Sequence, residues 1–425
     1  MFDMLDFDPA TVDEAGLIDR IAQLERLKAT AAAAQARLTA ALDLKRRTAE
    51  ADAGIPMRKR GQGLASEVGL ARRESPTQGS RHLGFARALI HEMPHTLAAL
   101  ESGVLSEWRA TLLVRESACL EVEDRRTLDA EMCADPTTLV GKGDKRIEAD
   151  AKAIAYRLDP HAVVDKARRA HEDRCVSIRP AADTMAWIGI LLPVAHGVSI
   201  YAALKHAADT TSDGRSRGQV MADTAVERIT GRPADTPVPV TVDVVITDET
   251  LLGGDTEPAR IPGYGPIPAT VARHLVSDAV GDERSRATLR RLYRHPQSGA
   301  LVTMESRARL FPKALATFIA LRDDTCRTPY CNAPIRHIDH ATPKARGGPT
   351  TGLNGNGLCE ACNYAKEAPG WRVRTRDQHG CHTTEVTTPT GTTYTGKAPP
   401  LPGRNTEHVT SIDVARFRIV YRRAA

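Results

Sequence analysis

CRTPYCNAPIRHIDHATPKARGGPTTGLNGNGLCEACNYAK, residues 326–366, is the stretch on which the reading of this chain turns. It opens with Cys326 and Cys331 as a C-x4-C pair, and Cys359 and Cys362 form a C-x2-C pair near its end. Two tight turns that each present two thiolates supply the tetrahedral sulfur set that Zn2+ takes. A redox C-x-x-C would stand alone ahead of a helix in a thioredoxin-like strand context, and that context is missing. The segment has few large apolar residues, so metal binding has to contribute much of its folding free energy. A site closed by four cysteines leaves no coordination position for water or substrate. Any chemistry must come from the residues between the pairs.

Those residues include Asp339-His340 at the end of a short apolar stretch, a Gly347-Gly348 turn, Asn354, and Asn363 directly after the last cysteine. In this order and at these spacings they resemble the HNH (His-Asn-His) nuclease signature. The resemblance implies a zinc-stabilised ββα-metal module, a two-stranded hairpin packed on a helix with a metal between them. It makes His340 the general base, because an imidazole can be neutral near pH 7 and accept a proton from water. Asp339 and Asn363 would offer hard oxygens to a catalytic Mg2+ or Mn2+, and Asn354 would pin the loop that aims His340. Residues 362 and 363 lie about 100° apart on a helix, so Cys362 can face the zinc while Asn363 faces the cleft. Asn363 stands where the His-Asn-His form has its last histidine; the family contains such variants, and the change disfavours zinc as the activating ion. DNA is the implied substrate. Arg327, Lys344, Arg346 and Lys366 would contact its backbone, flanked by Arg336, Arg372 and Arg374. His337 reads as structural and Glu367 as a solvated acid rather than a further ligand.

Outward from this stretch, 425 residues are too many for one ordinary core, and two or three domains are expected. Aromatic residues make up only 4%, so cores must be built from Leu, Ala, Val and Ile, which favours helix-on-helix packing. The net charge of +5 is compatible with a polyanionic partner but is spread thinly. The longest apolar run, Ala186 to Ala195, is broken by Gly189 and Pro193, short of a membrane span. The first ten residues carry acids where a signal peptide carries bases, so a cytoplasmic location is expected. Cys119, Cys133, Cys175 and Cys381 stand alone and read as ordinary thiols.

Residues 12–50 read as one long helix, with Leu17, Ile21, Leu24, Leu38 and Leu42 on a stripe that packs on its own domain or pairs in a coiled coil. Residues 51–63 read as a linker, and short helices follow to about residue 172, with Ser75-Pro76, Pro94, Gly103 and Ser106 as stop and start signals. Residues 64–90 fit either a helical hairpin with a solvated basic face or a helix-turn-helix presenting Arg72, Arg73, Arg81, His82 and Arg87. An α+β region with a small sheet follows: Thr184–Val194 and Val238–Ile246 as strands, Ser199–Ala208, Gln219–Ile229 and Ile267–Val280 as helices. Its loop Asp213 to Arg217 is a surface turn or a phosphate contact. Trp371–Tyr394 reads as strands joined at Pro389-Thr390-Gly391, and Ile412–Arg422 as helix or strand.

The fold expected is thus mainly α with an α+β middle region and a C-terminal zinc-stabilised ββα-metal module. Its parts are a long helix and linker (1–60), a helical domain (61–175), the α+β region (176–310), the nuclease module (311–375) and a β extension (376–425). RHLGFARALIHEMPHTLAALESGVLSEWRA, DGRSRGQVMADTAVERI, GYGPIPATVAR and the tail TPTGTTYTGKAPPLPG resemble a family of high-GC Gram-positive bacteria in which "domain of unknown function 222" precedes an HNH module. Regions 61–175 and 176–310 would together form that domain. Two functions follow: a DNA endonuclease that nicks one strand or cuts both, or a non-catalytic zinc-containing DNA-binding protein. Self-association through the N-terminal helices is a third property to test.

Overall fold

The computed structural model describes residues 8–235, 243–281, 305–306, 310–378, 381–403, 408–414 and 417–423. The chain forms two compact units, Met1–Ala170 and His171–Ala425. Among the described residues the first is helical: α1 (Glu14–Asp52), α2 (Leu64–Arg72), α3 (Pro76–His91), α4 (Pro94–Glu101), α5 (Glu107–Glu116), α6 (Val122–Cys133), α7 (Asp144–Leu158) and α8 (Pro160–Ala170). The start signals act as expected. Ser75 Oγ accepts from Gln78 N ahead of Pro76, Ser106 Oγ accepts from Arg109 N, and Gly103 takes φ +78° just beyond α4.

The buried face of α1 corrects the sequence reading. It is made of Ala29, Ala32, Ala33, Ala36 and Ala40, whereas Ile21 and Leu38 point to solvent. Small side chains at helical spacing let α3 and α4 approach closely, and the large residues that close the core, Phe85, Leu89, Met93 and Leu97, come from that side. Helices α2 and α3 pack as a hairpin in which Arg72, His82 and Arg87 are turned to internal use while Arg73 and Arg81 stay exposed. Arg72 bonds Gln35 and Glu107, His82 Nε2 lies 2.8 Å from Glu74 Oε2, and Arg87 binds Asp43 through two nitrogens at 2.6 and 2.8 Å. These partners favour the helical-hairpin reading over a recognition helix.

Asp43 is buried and also accepts from Arg47 at 2.7 Å. Burial pushes its pKa up, but the hydrogen bonds and charges of Arg87 and Arg47 outweigh this and hold it below the ordinary value. A depressed folded pKa means stability that is present above the unfolded value and lost as pH falls through the folded one. Asp43→Asn is therefore expected to cost the helical unit about 2 kcal/mol at pH 7. The gap to wild type should close below pH 4 as the native carboxyl protonates (thermal melts across pH); a gap unchanged at pH 3 would contradict the assignment.

The second unit begins with the hairpin β1 (Cys175–Pro180) and β2 (Ala186–Leu191), then α9 (Val194–Thr210) and α10 (Arg217–Thr230). The loop before α10 is a turn closed on itself: Arg215 pairs with Asp213 and Asp223, and Ser216 with Gln219 forms a capping box. Of the strand expected at Val238–Ile246, residues 238–242 lie outside the described residues; Val245 makes a bridge to Arg260. Next come α11 (Asp248–Leu252), the hairpin β3 (Ala259–Ile261) and β4 (Gly265–Ile267), and α12 (Ala269–Gly281). Among the described residues the α+β region thus holds two separate two-stranded hairpins rather than one sheet.

The remaining elements carry the site and the strands that follow it. They are β5 (Glu305–Ser306), α13 (Lys313–Asp323), β6 (His337–His340), β7 (Thr350–Thr351), β8 (Gly355–Leu358), α14 (Glu360–Lys366), β9 (Arg372–Gln378), β10 (Cys381–Thr387), β11 (Thr393–Lys397), β12 (His408–Val414) and β13 (Phe417–Arg423). Strand β6 pairs antiparallel with β8, from His337↔Leu358 to His340↔Gly355. Leu315, Phe318 and Ile319 of α13 form a core with Phe311, Ile338 and Leu401. The strands expected around the Pro389-Thr390-Gly391 turn are β9 to β11, which form a three-stranded sheet, and β12 pairs with β13, which resolves the C-terminal stretch as strand. No helix among the described residues is long and apolar enough to cross a membrane.

Candidate functional site

The four cysteines of the two pairs come together. Their sulfurs all lie within 4.8 Å of one another, and each residue is buried. The geometry is local in origin. Tyr330, at φ +63°, turns the chain so that Cys331 N reaches Thr328 O at 3.0 Å, and Cys359 caps α14 by accepting from Cys362 N at 3.4 Å. Hydrogen bonding among the sulfurs lowers the Cys326 thiol, chiefly through Cys331, and the Cys359 thiol, chiefly through Cys326. It raises Cys331 and Cys362, both chiefly through Cys326. Four buried sulfurs at one point, with Leu358 and Ala333 packed against them among the described residues, fit a structural zinc.

A few residues away, β6 presents Asp339 and His340 at its end. His340 is buried; its Nε2 lies 3.0 Å from Thr350 Oγ1 and its ring lies against Phe311, with centroids 4.4 Å apart. Its Nδ1 stands 3.8 Å from Asp339 Oδ1, which accepts a hydrogen bond from His340 N at 2.8 Å. Burial pushes the His340 pKa down, with the Asp339 carboxylate pulling the other way, so the neutral imidazole is favoured.

Asn354 closes the loop between β6 and β8. Its Oδ1 accepts from Thr342 N at 2.9 Å, and its Nδ2 donates to Thr342 O at 3.0 Å and Pro349 O at 2.8 Å. Gly347 supplies the positive φ (+83°) that turns this loop. At Gly355 a Cβ would meet Ile319 Cδ1 at 2.4 Å and Phe311 Cε1 at 2.8 Å, so only glycine lets α13 and Phe311 come this near the hairpin. Asn363 lies on α14, and its Oδ1 is buried with no hydrogen-bond partner among the described residues. That bare amide oxygen and the half-buried Asp339 carboxylate are hard donors that fit a divalent ion such as Mg2+ or Mn2+.

Two of the four residues expected on DNA phosphates are placed otherwise. Arg327 is buried: it donates to Lys397 O at 2.7 Å and Gly396 O at 2.8 Å, and its Nε faces Asp323. This arginine ties β11 to the zinc turn, and burial lowers its pKa. Lys366 is also turned inward, its side chain 6% exposed and its Nζ 2.8 Å from Asp339 Oδ2. Lys344 and Arg346 remain exposed on the short helical turn between β6 and β7. His337 is half-buried near Tyr364, and Glu367 is an exposed acid paired with Lys366.

Sequence reasoning missed Phe311, Thr350 and the pair Arg322–Asp323. Arg322 is 3% exposed and donates to Gly352 O, to Gly355 O at 2.7 Å and to Asp323, which in turn accepts from Gly357 N at 2.7 Å. Nothing in their local sequence distinguishes them from surface residues, because their partners lie some thirty positions further on.

Comparison with known proteins agrees with this geometry. Residues 21–323 match the model of the "Domain of unknown function (DUF222)", and residues 326–368 match that of the HNH endonuclease. Searches of curated proteins and of solved structures find no match. The chain belongs to the DUF222 family and carries an HNH endonuclease domain behind it.

Proposed function

We propose that this protein is a metal-dependent DNA endonuclease that hydrolyses phosphodiesters with His340 as general base. The observation that carries the reading is how His340 is held. Thr350 and Phe311 fix the ring so that Nδ1 faces the Asp339 side, and burial keeps the imidazole neutral. With the proton on Nε2, donated to Thr350 Oγ1, Nδ1 is free to accept a proton from an attacking water. Asn354 keeps the loop from shifting the ring, a positioning task suited to an amide that does not titrate near neutrality. Asp339 and Asn363 would hold Mg2+ or Mn2+, which supplies charge neutralisation at the phosphodiester oxygens. Lys344 and Arg346 would meet the DNA backbone, and the four cysteines would hold Zn2+ as a structural clamp.

The test is relaxation of supercoiled plasmid in Mg2+ or Mn2+ by wild type and by His340→Ala. Loss of a general base costs roughly 100- to 10,000-fold, so the variant should be slower by that order. Equal nicking by both would point to a contaminant. DNA binding without nicking by either would favour a zinc-stabilised binding module.

A further inference from the structure

Lys366 is the residue whose placement departs most from its expected use. A lysine ammonium carries three donors. Here its acceptors are Asp339 Oδ2 at 2.8 Å, Glu367 Oε1 at 2.6 Å and the carbonyl of His340 at 3.2 Å. The lysine side chain is 6% exposed and the Asp339 side chain 35%, so the ammonium is held inside while part of the carboxylate meets solvent. Lys366 also stands one turn after Asn363 on α14, and residues three apart share a helix face. The ammonium and the Asn363 amide are thus carried on one helix face, and the ammonium reaches Asp339 at the end of β6.

We propose that Lys366 is a positioning residue that gates the catalytic metal site: its ammonium is a resident counter-ion of Asp339 that yields the carboxylate to a divalent ion only when a DNA phosphate offers it a new anionic partner. The inference rests on Asp339 and Asn363 being the metal's oxygens. Its logic is electrostatic. A half-buried carboxylate already paired with an ammonium offers a divalent ion little net charge, and the two cations repel each other. An incoming phosphate removes both obstacles by drawing the ammonium away and adding negative charge. Metal and DNA then tighten each other's binding by the same factor, as linkage requires. A phosphate contact by Lys366 is thereby kept, but as the second of two positions.

Titration of the zinc-loaded full chain with Mn2+, followed by electron paramagnetic resonance of the free ion, tests this without reference to cleavage. In the absence of DNA, Lys366→Met should bind Mn2+ about tenfold more tightly than wild type, within the usual range of coupling between sites, whereas the charge-keeping Lys366→Arg should stay near wild type. A short duplex, added in a His340→Ala background that blocks turnover, should tighten Mn2+ binding strongly when Lys366 is present and little when it is methionine. Zinc content verifies that each variant has folded its cysteine cluster; if the methionine variant loses zinc, Lys366→Gln takes its place. Equal or weaker Mn2+ binding by the neutral variant, with the same gain from DNA, overturns the gate and leaves the nuclease reading standing. No Mn2+ binding by any form, with or without duplex, removes the metal assignment and the gate with it.

Discussion

Stripping zinc with a strong chelator is expected to unfold residues 326–366 and to end any cleavage, while helices α1–α8 keep their structure. The cluster of four buried sulfurs has almost no hydrophobic support of its own, Leu358 and Ala333 apart. Binding of a structural zinc contributes on the order of 10 kcal/mol, more than the net stability of most domains. The helical unit owes nothing to that ion, since its core is the Ala, Leu and Met packing between α1 and α3 to α7. Limited proteolysis should therefore open new sites within 326–366 on chelation, with most of the helical circular dichroism retained. Cys362→Ser should reproduce the effect without a chelator. Protection of the segment after complete loss of zinc would show that packing alone holds it.

Arg322→Met is expected to destabilise the second unit by about 3 kcal/mol, the lower end of the cost of breaking a buried ion pair, since Arg327 Nε at 3.6 Å and Gly357 N at 2.7 Å stay with Asp323. Arg322 donates to the carbonyls of both Gly352 and Gly355 and pairs with Asp323, which is itself 1% exposed. Methionine fills similar volume, so the loss is electrostatic and hydrogen-bonding rather than a cavity. Because Gly352 and Gly355 flank Asn354, the change should also loosen the loop that Asn354 pins. Denaturant melts of the zinc-loaded protein provide the measurement; a loss under about 1 kcal/mol would mean that the pair is dispensable.

Much of the site could be read from sequence because its elements are short-range. Two residues in a tight turn, a serine before a proline, or a histidine beside an aspartate report their geometry through spacing alone. The cysteine cluster, the β6–β8 hairpin and the caps at Ser75 and Ser106 are of this kind. What sequence could not show is which face of a charge is buried. Arg327 and Lys366 carry the same charge as Lys344 and Arg346, yet the first pair is drawn inward by carbonyls and carboxylates from elements far along the chain. The stripe on α1 failed for a related reason. Leucines mark a helix face only when the partner is distant enough to admit them, and toward α3 and α4 the apolar buried positions of α1 are all alanine.

The stretches that match the two families meet between residues 323 and 326, but the aromatic wall behind His340 is Phe311, and Ile319 and Arg322 brace the hairpin from the same side. A recombination event that swapped nuclease cassettes at the seam would hand the new hairpin a foreign brace. Viable crossovers should instead fall upstream of Phe311, so that α13 travels with the cassette it supports and the segment from Phe311 to Lys366 is inherited as one piece.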